Sequence, residues 1–270
     1  MKIILNNRDL TKKINQNKDL GFVPTMGAIH NGHISLIKRS LKSCKKTLVS
    51  IFINPKQFDK KKDFKRYPKQ KNKDLLILKK LKVDYVFIPK IKDIYNYQRS
   101  KPIRLNKKDK ILCAKHRKGH FEGVLDVMDR LTKLIKPKKI FMGKKDFQQF
   151  ILVKKYIKKK YDIKVIGCPI VREKNKVALS SRNLFLNKKE MFISSQIIKN
   201  LFNFKRKFKK SKNINYQLKI MKNNLQNIYK INIEYLDNRR IDNFNKINYF
   251  KKSKLFIAYY INQIRLIDNL

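Results

Sequence analysis

Residues 20–53 have the sequence LGFVPTMGAIHNGHISLIKRSLKSCKKTLVSIFI, which contains one complete strand–helix–strand unit. Residues 20–24 are a short apolar run that ends in a turn, and residues 29–44 have the apolar spacing of an amphipathic helix. Residues 47–53 form an apolar, β-favouring run, which is typical of a strand buried on both faces of a parallel sheet. The unit therefore predicts two buried strands joined by a helix.

The same alternation continues along the first part of the chain. Helical patterns cover residues 74–81, 124–135 and 147–158, and strand patterns cover residues 83–88, 139–142 and 163–167. This alternation predicts an α/β domain built on a parallel, doubly wound sheet.

The pattern changes after about residue 183. Helices are predicted at residues 188–209 and 216–230, and short strands at residues 231–236 and 254–261. We place the domain boundary a little earlier, near residue 176. This predicts a larger domain, residues 1–176, and a smaller α+β C-terminal domain, residues 177–270.

Composition excludes several classes of protein. The chain has 270 residues, of which 42% are hydrophobic, so it can form a core. No apolar run reaches the roughly 18 residues of a membrane-spanning helix, and the N-terminus lacks a signal-peptide pattern, so a cytoplasmic protein is expected. The three isolated cysteines, Cys44, Cys113 and Cys168, indicate neither a zinc site nor a disulfide framework.

The formal net charge of +50 has two interpretations. By itself it favours binding to nucleic acid or another polyanion. However, the lysines are spread from end to end and accompany abundant Asn, Ile, Phe and Tyr, which share A/T-rich codons. We therefore interpret the charge as a by-product of an A/T-rich genome, whose codon usage favours lysine. We expect no specific nucleic-acid partner.

Residues 24–36, PTMGAIHNGHISL, lie where a predicted strand ends and a helix begins. Ligands of parallel α/β sheets bind beyond the carboxyl ends of strands, and a helix N-terminus with free backbone N–H groups suits phosphate. Gly27 and Gly32 would let the backbone approach a ligand. His30 and His33 are three residues apart, so both could face one side as donors to phosphate. The alternative is two surface histidines.

Two further strand ends carry polar side chains. In SIFINPKQF, residues 50–58, Gln57 could orient a substrate hydroxyl or carboxylate, although a simple turn with a capping asparagine would look the same. In FMGKKDFQQF, residues 141–150, Lys145 could neutralise phosphate, and Gln149 lies one helical turn further on. The alternative there is a solvated lysine beside an aspartate that caps the helix.

The segment VALSSRNLFL, residues 177–186, places two hydroxyls before Arg182, an arrangement that could clamp an anion bidentately or merely cap a helix. Fingerprints of P-loop proteins, dinucleotide-binding folds and serine hydrolases are absent from the sequence.

Taken together, the motifs resemble the pantothenate synthetase family in order and spacing. The matching segments are PTMGAIHNGH, SIFINPKQF, RYP at 66–68, GHFEGV at 119–124, GKKDFQQ, ALSSRN and the final RLIDN at 265–269. The His-x-Gly-His element alone indicates only the wider nucleotidylyltransferase superfamily.

The resemblance implies a Rossmann-like first domain, a C-terminal domain that closes over the site, a homodimer, and ATP and Mg²⁺ as cofactors, and it singles out no residue as a metal ligand. It implies that pantoate and β-alanine are joined through a pantoyl-adenylate. The ATP-contacting residues would be Met26, Gly27, Ala28, Ile29, His30, Asn31, Gly32, His33, Gly143, Lys144, Lys145, Asp146, Val171, Leu179, Ser180, Ser181 and Arg182. Gln57 and Gln149 would hold pantoate, and the catalytic residues would be His33, as proton donor, with His30, Lys145 and Arg182.

The chain departs from the family pattern at three places. Lys144 stands where an acidic residue is usual, Asp126 where threonine is common, and Asn175-Lys176 where an Asp-Gly turn is usual. Asp126 puts substrate affinity most in doubt. Two rival functions remain: a nucleic-acid-binding protein, and a nucleotidylyltransferase that adenylylates a different acid.

Overall fold

A computed structural model describes residues 1–15, 18–59, 61–96, 101–211 and 213–270. The chain divides into two compact units, Met1–Pro169 and Ile170–Leu270. This boundary lies seven residues before the predicted one after residue 176. The reason is that residues 171–179 form a hairpin of the second unit, in which Arg172 pairs with Ala178. Arg172 also donates to the carboxylate of Asp268, at 2.6 and 3.0 Å, which ties the hairpin to the end of the chain.

The first unit contains a parallel sheet with intervening helices. Its elements are β1 Lys2–Ile4, α1 Asn7–Ile14, β2 Leu20–Thr25, α2 Asn31–Ser43, β3 Lys46–Ile51, α3 Lys61–Arg66, α4 Lys71–Lys80, β4 Tyr85–Phe87, α5 Ile91–Ile94, α6 Cys113–His116, α7 His120–Ile135, β5 Lys139–Gly143, α8 Phe147–Tyr161 and β6 Lys164–Cys168. The six strands lie in the order β1-β4-β3-β2-β5-β6, with parallel neighbours throughout. The predicted Rossmann-like α/β fold is confirmed.

The central strands are buried as their sequences predict. In β3 every residue after Lys46 is buried, in agreement with a strand covered on both faces. Val49 of this strand packs in one apolar cluster with Ile37 of α2 and Leu78 of α4. The edge strand β1 was not predicted, because three residues carry too little pattern to identify a strand.

The second unit is the predicted smaller α+β domain. It contains α9 Lys188–Lys207, α10 Ile214–Tyr229, β7 Asn232–Arg240, β8 Ser253–Ile261 and β9 Ile264–Asn269. The strands form an antiparallel sheet in the order β7-β8-β9, and Tyr259 in β8 is fully buried in its core. In the described ranges of both units, no helix has the length and apolar character needed to cross a membrane.

Candidate active site

Three of the predicted site segments follow neighbouring strands of the first sheet. β3, β2 and β5 lie side by side, and Thr25 at the end of β2 is level with Ile51 at the end of β3. The chain passes from β2 to β3 on one side and later returns as β5 on the other, so the strand order reverses between β2 and β5. Ligands of open parallel sheets bind in the crevice at such a point. Residues 26–33, 54–57 and 143–149 therefore share the edge at which a ligand is expected.

The turn after β2 has a backbone conformation that Asp74 of α4 stabilises. Gly27 and Ala28 both adopt the left-handed region, with φ of +81° and +50°. The Ala28 N–H donates to Asp74 Oδ2 at 2.9 Å, and the Ile29 N–H donates to Oδ1 at 2.7 Å. A Cβ on Gly27 would lie 2.9 Å from Asp74 Oδ2, so glycine is required both for its φ and for this close approach.

Sequence analysis did not identify Asp74 as a residue that supports the site. In the structure Asp74 is only 1% exposed. Burial raises the pKa of its carboxyl, while the hydrogen bonds from the Ile29 and Ala28 N–H groups oppose that rise. The one signal in the sequence is that this carboxylate directly follows the lysine-rich run at residues 69–73. That signal cannot identify the partner, which lies 45 residues earlier in the chain.

In the turn that precedes α2, three backbone N–H groups already have partners within the protein. The Gly27 N–H donates to Thr25 Oγ1, and those of Ala28 and Ile29 are bound by Asp74. Ala28 and Ile29 are also buried, at 3% and 6% exposure. These N–H groups rigidify the turn and are not available to a phosphate. Contacts with phosphate in this segment would therefore involve groups other than these three N–H groups.

His30 and His33 lie together, as their spacing predicts, with ring centroids 4.1 Å apart. His30 Nδ1 accepts from the Gly32 N–H at 3.1 Å, and His33 Nδ1 accepts from the His30 N–H at 3.4 Å. Because each Nδ1 is an acceptor, the proton of each neutral ring is on Nε2. The two rings can thus offer Nε2–H donors to an anion.

The charge state of the two histidines follows from burial. Desolvation, with a smaller contribution from the charge of Lys145, lowers the pKa of His30 to about 4. Desolvation likewise lowers the pKa of His33 to about 3, with a smaller contribution from His30. In the ligand-free protein both rings are therefore neutral at pH 7. His33 would act through a hydrogen bond rather than as a charged acid.

The segment after β5 brings a cation to the histidines. Lys145 lies in a short 3₁₀ helix between β5 and α8, and its Nζ is 3.8 Å from Asp146 Oδ1. Its positive charge contributes to the lowered pKa of His30. At Gly143 no atom beyond the glycine and its two chain neighbours lies within 4 Å of where a Cβ would stand. Packing does not demand a glycine there, which leaves room for a ligand beside Lys145.

Gln57 is held from both sides in the segment after β3. Its Oε1 accepts from Asn54 Nδ2 at 3.1 Å, and its Nε2 donates to Met26 Sδ at 3.1 Å. The His120 ring binds the backbone carbonyl of Gln57 through Nδ1 at 2.6 Å. A Cβ on Gly123 of α7 would clash with the Lys56 carbonyl oxygen, so this glycine lets the helix pack closely against the segment.

Gln149 lies in the first turn of α8 and is half-buried. The preceding Gln148 is buried and donates through Nε2 to the carbonyls of Asp109 and Ile111, at 3.0 and 2.8 Å. These bonds anchor the turn that carries Gln149. Of the other predicted residues in this unit, Lys144 and Met26 are half-buried, and Asn31 is exposed at the start of α2.

The remaining predicted residues lie together in the second unit. The Leu179 N–H donates to the Val171 carbonyl at 3.0 Å, so these two residues are neighbours in the hairpin. Ser180 Oγ accepts from the Arg182 N–H at 3.3 Å and caps the 3₁₀ helix Ser181–Phe185, which agrees with the capping alternative for that hydroxyl. Ser181 and Arg182 are half-buried.

The departure at Asn175-Lys176 has a structural cost. Lys176 adopts a φ of +75°, a conformation that glycine reaches without strain. Asn175 compensates, because its Oδ1 accepts from the Val177 N–H at 3.0 Å and closes the turn.

Comparisons with known proteins agree with these motifs. The sequence model of the family described as pantoate–β-alanine ligase matches residues 2–270. The pantothenate synthetase of Pseudothermotoga lettingae is 37% identical over 279 residues, covering 99% of this chain and 98% of that protein. That of Azobacteroides pseudotrichonymphae is 38% identical over 272 residues, covering 97% and 95%.

Two solved structures are also similar. The pantothenate synthetase of Thermus thermophilus has a TM-score of 0.92 at 27% identity, covering 100% of this chain and 99% of that one. The pantoate–β-alanine ligase of Francisella tularensis, complexed with β-γ ATP and β-alanine, has a TM-score of 0.86 at 35% identity, covering 100% and 97%. With a match that runs from residue 2 to residue 270 and relatives above 30% identity over nearly the whole chain, this chain belongs to the pantoate–β-alanine ligase family.

Proposed function

We propose that this chain joins pantoate to β-alanine in two steps that consume ATP. In the first step a pantoate carboxylate oxygen attacks the α-phosphorus of ATP, and pyrophosphate leaves. In the second step the β-alanine amine attacks the carbonyl carbon of the mixed anhydride, loses a proton, and AMP leaves. The Francisella tularensis relative, solved with an ATP form and β-alanine, supports the use of ATP.

The observation that carries this proposal is the group of donors at one sheet edge. His30 and His33 are neutral N–H donors, and Lys145 adds a positive charge beside them. A carboxylate is already a nucleophile, so the first step requires alignment and stabilisation of phosphate charge rather than a catalytic triad. Gln57 and Gln149 would then orient pantoate at the same edge.

Five residues of the second unit are also candidates for nucleotide binding, on the family resemblance. We propose that Val171, Leu179, Ser180, Ser181 and Arg182 contact the nucleotide. The guanidinium of Arg182 can bind phosphate oxygens bidentately, which supports a role in charge stabilisation.

Magnesium would enter this site with the nucleotide. In the described part of the chain, no three His, Cys, Asp or Glu side chains are grouped so that they could hold a metal ion. Mg²⁺ in nucleotide enzymes is bound mainly by phosphates and water, with one or two carboxylates. Asp146 is the carboxylate of the candidate ATP segment that could share it. Such an ion neutralises phosphate charge.

A direct experiment tests the proposal. Purified protein with pantoate, β-alanine, ATP and Mg²⁺ should produce pantothenate and AMP in equal amounts. With β-alanine omitted, labelled pyrophosphate should still enter ATP when pantoate is present. Exchange that requires β-alanine would contradict the two-step mechanism, and adenylylation of another acid in preference to pantoate would favour the rival nucleotidylyltransferase.

Gln149→Ala should raise the KM for pantoate far more than the KM for ATP. Loss of a positioning amide leaves a polar group of the substrate unpaired, which costs about 1–3 kcal/mol. Initial rates measured with each substrate varied in turn give both constants. Asn31→Ala, in the candidate ATP segment at the exposed start of α2, is the comparison variant for the ATP side. Equal changes in the two constants for Gln149→Ala would contradict its assignment to pantoate.

The homodimer and the cytoplasmic location remain predictions. Sedimentation equilibrium over a range of concentrations would measure the assembly state.

A further inference from the structure

Asp126, one of the three departures from the family pattern, binds two cationic side chains. One is in α7 and the other is in the segment after β3. Its Oδ1 accepts from Arg130 Nε at 2.9 Å, and its Oδ2 accepts from Lys56 Nζ at 3.3 Å. Asp126 is 8% exposed and Arg130 is 3% exposed. A buried guanidinium requires a compensating charge, and Asp126 provides it.

Both cations lie against the ring of Tyr95. Lys56 Nζ is 4.2 Å from the ring centroid, and Arg130 Cζ is 4.8 Å from it. Arg130 Nη1 also donates to the carbonyl of Ile94 at 3.1 Å, which fixes the guanidinium beside the ring. Two cations at one ring would repel each other without the carboxylate of Asp126. Asp126 thus holds in place both cations that contact the Tyr95 ring.

Tyr95 in turn orients the side-chain amide of Asn54, which is 1% exposed. The Tyr95 hydroxyl donates to Asn54 Oδ1 at 2.7 Å, and the Lys56 backbone N–H donates to the same oxygen at 3.2 Å. With two donors on its oxygen, Asn54 directs Nδ2 toward acceptors. These are Gln57 Oε1 and the Gly123 carbonyl, both at 3.1 Å.

The orientation of Asn54 determines which end of Gln57 remains for a substrate. Because Gln57 Oε1 receives the Asn54 donor, the opposite end, Nε2, carries the hydrogens that a ligand can use. In this structure Nε2 donates to Met26 Sδ, which is a weak acceptor. A carboxylate or hydroxyl oxygen would be a better partner.

We infer that Asp126 is a positioning residue: through Tyr95 and Asn54 it orients Gln57 so that Nε2–H faces the substrate, and the site selects a substrate oxygen that accepts a hydrogen bond. The identity of that substrate as pantoate rests on the proposed function. The orientation itself rests only on contacts within the first unit.

The kinetic test compares two buried carboxylates of α7. Tyr95→Phe and Asp126→Asn should each raise the KM for pantoate about tenfold while changing the KM for ATP less than about twofold, because one hydrogen bond to the substrate loses its alignment. Asp129→Asn is the matched control. Asp129 is 1% exposed on the same helix, and its carboxylate is bound by Lys160 and Tyr161 at the end of α8.

The coupling to Gln57 is tested by a double-mutant cycle. If Tyr95 acts through Gln57, Tyr95→Phe should add little to the pantoate KM of Gln57→Ala. Fully additive effects, or a rise in pantoate KM for Asp129→Asn equal to that for Asp126→Asn, would overturn the inference.

A measurement without substrate separates this inference from the proposed function. In the folded protein, the side-chain NH₂ of Asn54 should be protected from hydrogen exchange, and Tyr95→Phe should reduce that protection at least about tenfold while Asp129→Asn leaves it unchanged. Unchanged protection in Tyr95→Phe would contradict the inference even if pantothenate is formed. Reduced protection in a protein that forms no pantothenate would support the orientation and reject only the proposed function.

Discussion

Replacing His33 by alanine should slow the exchange of labelled pyrophosphate into ATP by about 10²–10³-fold. The His33 ring is neutral, accepts the His30 N–H at Nδ1, and therefore carries its proton on Nε2. A donor in that position stabilises the charge that develops on phosphate oxygens in the transition state. The exchange rate at saturating ATP and pantoate, without β-alanine, measures this effect.

The chemical form of the His33 side chain can be tested with a second substitution. His33→Gln keeps a neutral N–H donor and should retain more exchange than His33→Ala, because a hydrogen bond rather than proton transfer is required. Gln149→Ala is the control for positioning, since its exchange should be slow at low pantoate and recover at high pantoate. Unchanged exchange in His33→Ala would remove this residue from the chemistry and leave Lys145 and Arg182 as the charge stabilisers.

Asp74→Asn should lower kcat/KM for ATP about 10²-fold and reduce the free energy of unfolding by about 2–3 kcal/mol. The carboxylate accepts from the N–H groups of Ala28 and Ile29, whereas an asparagine side chain can accept only through its one oxygen. One buried N–H would then face an NH₂ group, and this unsatisfied donor costs free energy. The turn before His30 would shift, and a displacement of about 1 Å can cost about 10²-fold in rate.

Two measurements separate the positioning effect from the stability effect. Urea unfolding gives the free energy, and steady-state kinetics with ATP varied gives kcat/KM. Asp84→Asn is the control, because its carboxylate binds the Thr47 N–H and Lys46 at the amino end of β3, away from the candidate site. If Asp74→Asn loses stability but keeps wild-type ATP kinetics, the turn does not position the histidines.

Much of the first unit was predictable from local sequence pattern. The run at residues 47–53 is apolar because β3 is covered on both faces, and burial of Leu48 and Val49 confirms this. The strand β9 was not predicted although its residues were noted as a motif. Its pattern mixes buried Asp268 with apolar residues, and the reason for that carboxylate is an ion pair with Arg172, 96 residues away.

In the candidate site, the residues that could be predicted are those recognised from residue type and spacing within a short segment. Gly27, His30 and His33 stand close together in one turn, so the sequence alone indicates an anion site there. The supporting residues have no such signal. Asp74 contacts Ile29 across 45 residues, and Tyr95 contacts Asn54 across 41 residues. Neither residue type nor spacing can indicate such a pair.

By itself the sequence determined the alternation of strands and helices and the segments at which a ligand would bind, because apolar periodicity and turn residues act over a few positions along the chain. The tertiary structure decided which side chains hold those segments in place. Asp74 removes the turn's N–H groups from any ligand, and Asp126, Tyr95 and Asn54 turn the donor end of Gln57 outward. These outcomes depend on hydrogen bonds between elements far apart in sequence, which form only when the sheet and its helices have packed.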